Sequence, residues 1–370
     1  MTDTQAWKNI FFVLLGMALI IFLLFLYGSR TIINRFNSIT AADCLPGEIF
    51  DEEDSWCYWE PDCDTDEECA EIEDAYNAAL DKIFDNYGGD FSELYAWQDV
   101  FASYNVSGGD FAPLDRDLNR FPDLDARDES TEQHEELWDL FSSFFPPVVL
   151  EHISRMEVFT DGIDGTLAYV DLDYEDRDLD QWVVSLDALD TYKNDGQFYD
   201  VELVLPTFIH EVAHIVTLNN TQLDYSTSAV SVVDDDAFVE ESEKQERACT
   251  QYYALEGCTN SDSYLNDFVN AFWDDELITE MEDLISSSEV DLNEDPASEL
   301  YLQYPDYFLT AYAPTGPEED IAESMTLFVI GPKSDGGTIA DQKLNFFYNY
   351  PELVQFRRIV RNGVLEALAR

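Results

Sequence analysis

The stretch Pro206-Thr-Phe-Ile-His210-Glu211-Val-Ala-His214-Ile-Val216 decides how the rest of the chain is interpreted. Its apolar flanks predict a helix, with Pro206 near the start, where proline is tolerated. Residues four apart share one face of a helix, so His210 and His214 can offer two imidazole nitrogens to one metal ion. Glu211 stands one step round the helix, where its carboxylate can hold a water beside the ion without ligating. The alternative is a core helix with two buried histidines and an incidental glutamate.

A third metal ligand is expected elsewhere in the chain, because a catalytic zinc site takes three protein ligands. His134 and His152 lie upstream without a metal-binding spacing, and surface or helix-capping positions are expected for both. Downstream, residues 315–331 read TGPEEDIAESMTLFVIG and predict a second helix. Thr315 is its expected N-cap, and Pro317 suits its first turn.

Glu319 and Glu323 lie four positions apart on this second helix and therefore share a face. The apolar residues around them predict that the helix is largely buried. A buried carboxylate needs a partner, and a metal ion with its histidines is such a partner. These two glutamates are therefore candidates for the metal centre.

The two motifs together, HEVAH at 210–214 and YAPTGPEEDIAES at 312–324, resemble the gluzincin clan of zinc metallopeptidases. The similarity is greatest to the catalytic domain of anthrax lethal factor and its bacterial relatives, and it covers roughly residues 150–370. It implies Glu319 as the third zinc ligand, Glu323 orienting a ligating histidine, and Tyr312 stabilising the oxyanion. The stretch between His214 and Glu319 is longer than a minimal member needs, which predicts an insertion that shapes the cleft.

The expected activity is hydrolysis of a peptide or protein substrate by a zinc-activated water, with Glu211 as general base. The predicted strand at 182–186 is the candidate for binding the substrate backbone by edge pairing, and an ordinary interior strand is the alternative. The rival function is a non-catalytic, surface-anchored binding or scaffold protein with a structural or vestigial metal site. The intact Glu211 argues against that rival, because a structural site needs no base.

The charge balance is strongly acidic, with 79 acidic against 18 basic residues and a net charge of −61. Such a surface repels phosphate backbones and excludes nucleic-acid binding. The acids are spread along the chain, which favours solvation at high salt over selection of basic substrates or calcium. Asp62, Asp64, Asp66 and Glu73 do match EF-hand positions, but Glu67 replaces the required glycine. Zn²⁺ is therefore the expected cofactor, and Ca²⁺ is a weak second candidate.

A membrane anchor is predicted over residues 9–29, which carry no charge and contain the run IFFVLLGMALIIFLLFLY. At about 1.5 Å per residue they extend about 31 Å, enough to span the hydrocarbon core of a bilayer. This apolar run is longer than the core of a cleaved signal peptide, so a single-pass anchor is favoured. Basic residues flank it on both sides and leave its orientation nearly tied.

Six cysteines, at 44, 57, 63, 69, 249 and 258, favour disulfides and therefore an extracytoplasmic catalytic domain at the cell membrane. Their pairing is open, and reduced, packed cysteines are the alternative.

The sequence divides into a tail at 1–8, the anchor at 9–29, a stalk with a cysteine-rich and helical region at 30–125, and a metallopeptidase domain at 126–370. In this last domain, residues 132–145 predict a helix, and residues 166–172 and 182–186 predict strands. Successive helices follow Pro206. A zincin-like α+β fold is therefore expected, with a small sheet packed on active-site helices.

Overall fold

The computed structural model of the protein divides into two compact units, Met1–Asp74 and Ala75–Arg370. The described residues are 48–51, 56–59, 99–107, 111–114, 131–160, 166–173, 181–187, 191, 201–225, 243–274, 276–281, 296–304, 306–334 and 336–368. In the first unit they form an antiparallel hairpin of β1 (Glu48–Asp51) and β2 (Trp56–Trp59).

Three predictions fall outside these residues: the membrane anchor at 9–29, the calcium-binding loop at 62–73, and disulfides that involve the cysteines at 44, 63 and 69. Among the described residues, no helix combines the length and the apolar character that crossing a membrane requires.

The second unit has a mixed α+β fold that contains a five-stranded sheet. The strands are β3 (Asp99–Asn105), β4 (Ala112–Pro113), β5 (Ile153–Thr160), β6 (Ala168–Leu172) and β7 (Trp182–Asp187). They are arranged in the order β4-β3-β5-β7-β6, with β5 and β7 parallel and the other neighbours antiparallel. The strands predicted from the sequence, β6 and β7, are confirmed. β3 and β4 precede residue 126, so the sheet includes residues that the sequence assigned to the stalk region.

The position of β7 corrects one expectation. Every residue of β7 is buried, and the strand lies between β5 and β6, with a ladder of paired residues on each side. An interior strand has no open backbone edge, so the prediction that residues 182–186 receive a substrate by edge pairing is wrong. Among the described strands of this sheet, β6 is the edge strand on that side.

The described helices of the second unit pack against this sheet and against one another. They include α1 (Thr131–Ser143), α2 (Pro147–Leu150), α3 (Val201–Leu218), α4 (Tyr264–Phe272), α5 (Pro296–Gln303), α6 (Pro317–Ile330), α7 (Ile339–Phe346) and α8 (Pro351–Leu368). The predicted helix at 132–145 corresponds to α1 and is confirmed.

The helix α3 is apolar around most of its circumference, which is typical of a helix enclosed by protein. Phe208, Ile209 and Val212 are completely buried, and α3 contacts both β6 and α6. The helix begins at Val201, so Pro206 lies inside it and the prediction of Pro206 near the start is wrong. At its other end, the Asn219 side-chain amide donates to the carbonyls of residues 215 and 216 at 2.9 and 3.1 Å.

The helix α6 begins at Pro317, as the proline pattern predicts, and it is buried along most of its length. Its N-cap is Gly316, so the prediction of Thr315 as N-cap is wrong. Thr315 instead lies in a 3-10 turn, Ala313–Thr315, and its hydroxyl donates to the carbonyl of Tyr312 at 2.8 Å. This turn leads directly from Tyr312 into α6.

Between α3 and α6 the chain forms a small antiparallel sheet of β8 (Leu223–Tyr225), β9 (Tyr253–Ala254) and β10 (Gly257–Thr259), with β10 in the centre. A disulfide joins Cys249 to Cys258, whose Cα atoms are 5.5 Å apart. The cysteine count predicts disulfides, and this pair is a candidate for one. A Cβ atom at position 257 would lie 2.5 Å from the backbone oxygen of Asp224, which explains why glycine occupies the first position of β10.

Candidate metal centre

Two histidines one turn apart on α3 face the same point. The Nε2 atoms of His210 and His214 are 3.1 Å apart, and both side chains are largely buried, with exposed fractions of 10% and 12%. The helical spacing predicted from the sequence therefore brings the two imidazole nitrogens together.

Glu319, from the third residue of α6, completes a triangle of ligand atoms. Its Oε2 lies 3.0 Å from Nε2 of His210 and 3.3 Å from Nε2 of His214. Bonds of about 2.0–2.1 Å in a tetrahedral arrangement place ligand atoms about 3.3 Å from one another. The three side chains therefore fit a single metal ion, and they form a possible metal-binding triad.

Glu323, one turn further along α6, contacts the opposite nitrogen of His210. Its Oε1 lies 2.9 Å from Nδ1, and its side chain is only 2% exposed. When this carboxylate accepts the Nδ1–H, the neutral ring carries a lone pair on Nε2, which faces the carboxylate of Glu319. Two electron-pair donors 3.0 Å apart repel each other unless a proton or a cation lies between them. A metal ion bound to both atoms removes this repulsion.

The electrostatics of these side chains agree with this geometry. Burial acts to lower the pKa of His210, but hydrogen bonds with Glu319 and Glu323 outweigh it and hold that pKa well above its ordinary value. Burial acts to lower the pKa of His214 as well, but the charge of Glu319 and a hydrogen bond with it together raise that pKa above its ordinary value. Burial acts to raise the pKa of Glu319, yet the histidines hold it well below its ordinary range. The site therefore favours positive charge at its centre.

Glu211 lies beside this triad without belonging to it. It is 9% exposed, and it accepts a hydrogen bond from the backbone N–H of Val170 on β6. Burial raises the pKa of Glu211 to about 7, although the two neighbouring histidines act to lower it. A carboxylate with this pKa can take up and release a proton near neutral pH.

Tyr312 lies at the start of the 3-10 turn that leads into α6. Its ring centroid is 5.9 Å from that of His210, with the planes tilted by 49°, and the side chain is partly exposed. The fold thus brings together all six residues predicted for the site: His210, Glu211, His214, Tyr312, Glu319 and Glu323. Helical spacing links His210 to His214 and Glu319 to Glu323, whereas tertiary packing brings Tyr312 and α6 to α3.

The other two histidines lie elsewhere. His134 on α1 is 1% exposed and contacts the hydroxyl of Tyr104 at 2.7 Å. The expectation of a surface or capping position is therefore wrong for His134, which is a core residue shared between α1 and β3. His152 is partly exposed just beyond α2 and is not part of the triad.

The sequence did not predict that the open backbone edge of β6, here called the β6 edge, lies next to Glu211. Two backbone hydrogen bonds flank β6 and join it to β7. The N–H of Asp187 donates to the carbonyl of Leu167, and the N–H of Asp173 donates to the carbonyl of Gln181, both at 2.8 Å. Because backbone groups alternate along a strand, those of residues 168, 170 and 172 face away from β7. The bond from Val170 to Glu211 agrees with this alternation. The two strands have similar compositions, AYVDL for β6 and WVVSLD for β7, so the sequence carried no signal for which of them forms the edge.

The disulfide-bonded loop places further acidic groups near the triad. The hydroxyl of Tyr252 donates to both carboxylate oxygens of Glu318, at 3.0 and 3.1 Å. Burial and the charge of Glu256 raise the pKa of Glu318 to about 7. Burial also raises the pKa of Glu256, which lies close enough to His214 and Glu319 to respond to their charges. Sequence patterns gave no signal for these contacts, because they depend on how the loop folds back.

No protein-family model, curated protein or solved structure matches the chain. The functional conclusion therefore depends on the geometry and chemistry of the site itself.

Proposed function

We propose that the protein is a zinc-dependent peptidase of the gluzincin type, anchored in the cell membrane by residues 9–29. The observation that carries this proposal is the meeting of His210, His214 and Glu319 with the buried carboxylate of Glu211 beside them. Two histidines and a carboxylate are a common ligand set of catalytic zinc sites. When bound, zinc polarises a carbonyl and lowers the pKa of water, which is the chemistry that peptide hydrolysis requires.

The residues around the triad have distinct roles in this proposal. Glu211 takes the proton of the attacking water and then passes it to the leaving amine, because its buried carboxylate lies beside the triad without belonging to it. Glu323 holds the ring of His210 in the orientation that directs Nε2 to the site. The hydroxyl of Tyr312 donates to the substrate oxygen on which negative charge develops.

The β6 edge supports binding of an extended peptide. Backbone groups of residues 168 and 172 face the open side of the sheet, on either side of the residue that bonds to Glu211. A peptide can add to such an edge by main-chain hydrogen bonds. Edge pairing here places the substrate backbone next to the proposed base.

The disulfide between Cys249 and Cys258 supports an extracytoplasmic location, because disulfides persist in oxidising compartments. Together with the uncharged stretch at 9–29, it leads to a single-pass protein with its catalytic unit outside the cytoplasm.

The test uses the full-length chain, purified in detergent at high salt, with bound metal and cleavage of a mixed peptide library measured together. Glu211→Gln is compared with Glu243→Gln, which removes an exposed carboxylate that pairs with Arg247 outside the site. The proposal expects one zinc per chain in all three proteins and loss of cleavage in Glu211→Gln alone. Zinc without cleavage in the unaltered protein favours the binding or scaffold function, and absence of metal rejects the zinc centre.

A further inference from the structure

Asp320 follows the proposed ligand Glu319 on α6 but points to a different side of the helix. Its side chain is completely buried, and its Oδ2 lies 2.6 Å from Nζ of Lys343 on α7, which is also completely buried. The indole Nε1–H of Trp273, at the end of α4, donates to the same oxygen at 2.8 Å. One carboxylate oxygen therefore joins three helices at the turn that carries Glu319.

Aromatic rings enclose the cation of this pair. Nζ of Lys343 lies 4.3 Å from the ring centroid of Phe308 and 4.5 Å from that of Tyr307. These distances are within the range of cation–π attraction. The rings restrict where the ammonium can lie, and the ammonium in turn restricts Asp320.

A buried ion pair is weak evidence for stability, because the cost of removing two charges from water offsets their attraction. Apolar side chains of similar volume often stabilise a fold as well or better. The distinctive property of the Asp320–Lys343 pair is that it fixes the position of the carboxylate. Hydrogen bonds from Trp273 and Lys343 to one oxygen allow the Asp320 side chain only a narrow range of positions.

The restricted position of Asp320 also limits where Glu319, the preceding residue on α6, can lie. Side-chain ends lie about 5–6 Å from the axis of an α-helix, so a rotation of about 20° moves a carboxylate by about 2 Å. Metal–ligand distances tolerate only about 0.2 Å. We propose that Asp320, Lys343 and Trp273 form a positioning device that sets the rotation of α6, so that Glu319 meets the two histidines and Glu323 meets His210. This inference depends on the metal-binding part of the proposed function and not on peptide hydrolysis.

The test separates position from stability by replacing both charges together. The double variant Asp320→Leu/Lys343→Met removes the ion pair while keeping the space filled, and Asp320→Asn is the conservative variant. The full-length protein is titrated with Co²⁺, whose visible absorption reports coordination geometry, and thermal unfolding is recorded alongside. Tyr104→Phe is the control, because it removes a buried contact with His134 away from the triad.

The expected result is a double variant that melts close to the unaltered protein but binds Co²⁺ about 10–100-fold more weakly, with an altered spectrum. Asp320→Asn is expected to weaken Co²⁺ binding and to alter the spectrum in the same direction. If the double variant does not fold, Asp320→Asn is the variant that tests the proposal. Unchanged affinity and spectrum in folded variants overturn the proposal, and so does an equal loss in Tyr104→Phe. A protein that binds no Co²⁺ at all refutes the metal centre itself, whereas Co²⁺ binding without cleavage refutes only the peptidase.

Discussion

Oε1 of Glu323 lies 2.9 Å from Nδ1 of His210, on the side of the imidazole ring that faces away from Nε2 and Glu319. The contact joins α6 to α3 inside the protein, where the Glu323 side chain is 2% exposed. Such a partner fixes the tautomer and orientation of a ligating histidine and increases its basicity. Glu319 and Glu323, one turn apart, thus hold the same ring from both of its nitrogens.

Replacing Glu323 with glutamine is expected to weaken zinc binding by about 10–100-fold, because the amide keeps the shape but loses the charge that supports His210. Competition with a zinc chelator measures the effect. Glu352→Gln serves as control, since that carboxylate accepts from Tyr264 outside the site. Equal affinity in the two variants would contradict a role for Glu323 in the metal centre.

Tyr312→Phe is expected to lower the turnover number by about 100-fold while leaving zinc content unchanged, because one donor to the developing oxyanion is lost. Steady-state kinetics with a cleavable peptide measure this, and metal analysis checks that the site is loaded. Tyr264→Phe, which changes a hydroxyl that bonds to Glu352, is the matched control. An unchanged turnover number removes Tyr312 from the mechanism.

Glu318 is expected to make the stability of the metal-free protein depend on pH. Its ordinary pKa is 4.5, and burial together with the charge of Glu256 raises it to about 7 in the folded state. Between these pH values the folded state binds more protons, so the contribution of Glu318 to the free energy of unfolding falls as pH rises. Allowing for partial exposure, this loss amounts to about 1–3 kcal/mol.

Glu318→Gln cannot ionise, so its unfolding free energy should rise relative to the unaltered protein between pH 5 and pH 8. Urea unfolding at constant high salt, with chelator present, measures the difference. If the unfolding free energies of the two proteins change with pH in parallel across this range, the ionised carboxylate of Glu318 is not destabilised by burial.

The Cys249–Cys258 disulfide is expected to stabilise the loop that brings Tyr252 to Glu318. Its loss in Cys249→Ser/Cys258→Ser should lower the free energy of unfolding by about 2–3 kcal/mol, the entropy cost expected for a short closed loop. Zinc affinity should stay the same, because His210, His214 and Glu319 lie outside the loop. Peptide mapping without reductant checks the pairing, and free thiols at both positions would refute it.

The net charge of −61 predicts a strong dependence on salt. Repulsion among carboxylates is screened as the Debye length falls from about 10 Å at 0.1 M to about 3 Å at 1 M salt. The melting temperature should therefore rise steeply with KCl over this range. A melting temperature that is indifferent to salt instead favours a role for the acidity in selecting basic substrates or calcium.

Local periodicity predicted the parts of the fold that depend on neighbouring residues. α1, β6, β7 and α6 lie where their patterns place them, because burial of one face or of a whole element leaves a periodic trace. The edge-pairing role predicted for β7 is wrong, since edge and interior positions depend on strand order. The boundaries also shifted: α3 extends before Pro206 because surrounding protein stabilises a helix with a proline inside it.

The sequence by itself determined the identity of the candidate ligands. The spacing of His210 and His214 follows from helix geometry, and an α-helix places such residues on one face in any fold. Only the tertiary structure decided that Glu319 reaches both rings, that Glu323 contacts His210, and that Asp320 forms a buried ion pair with Lys343. These contacts depend on how α6 packs and rotates against α3, α4 and α7. That arrangement comes from the collective packing of the core, which leaves no short-range pattern in the chain.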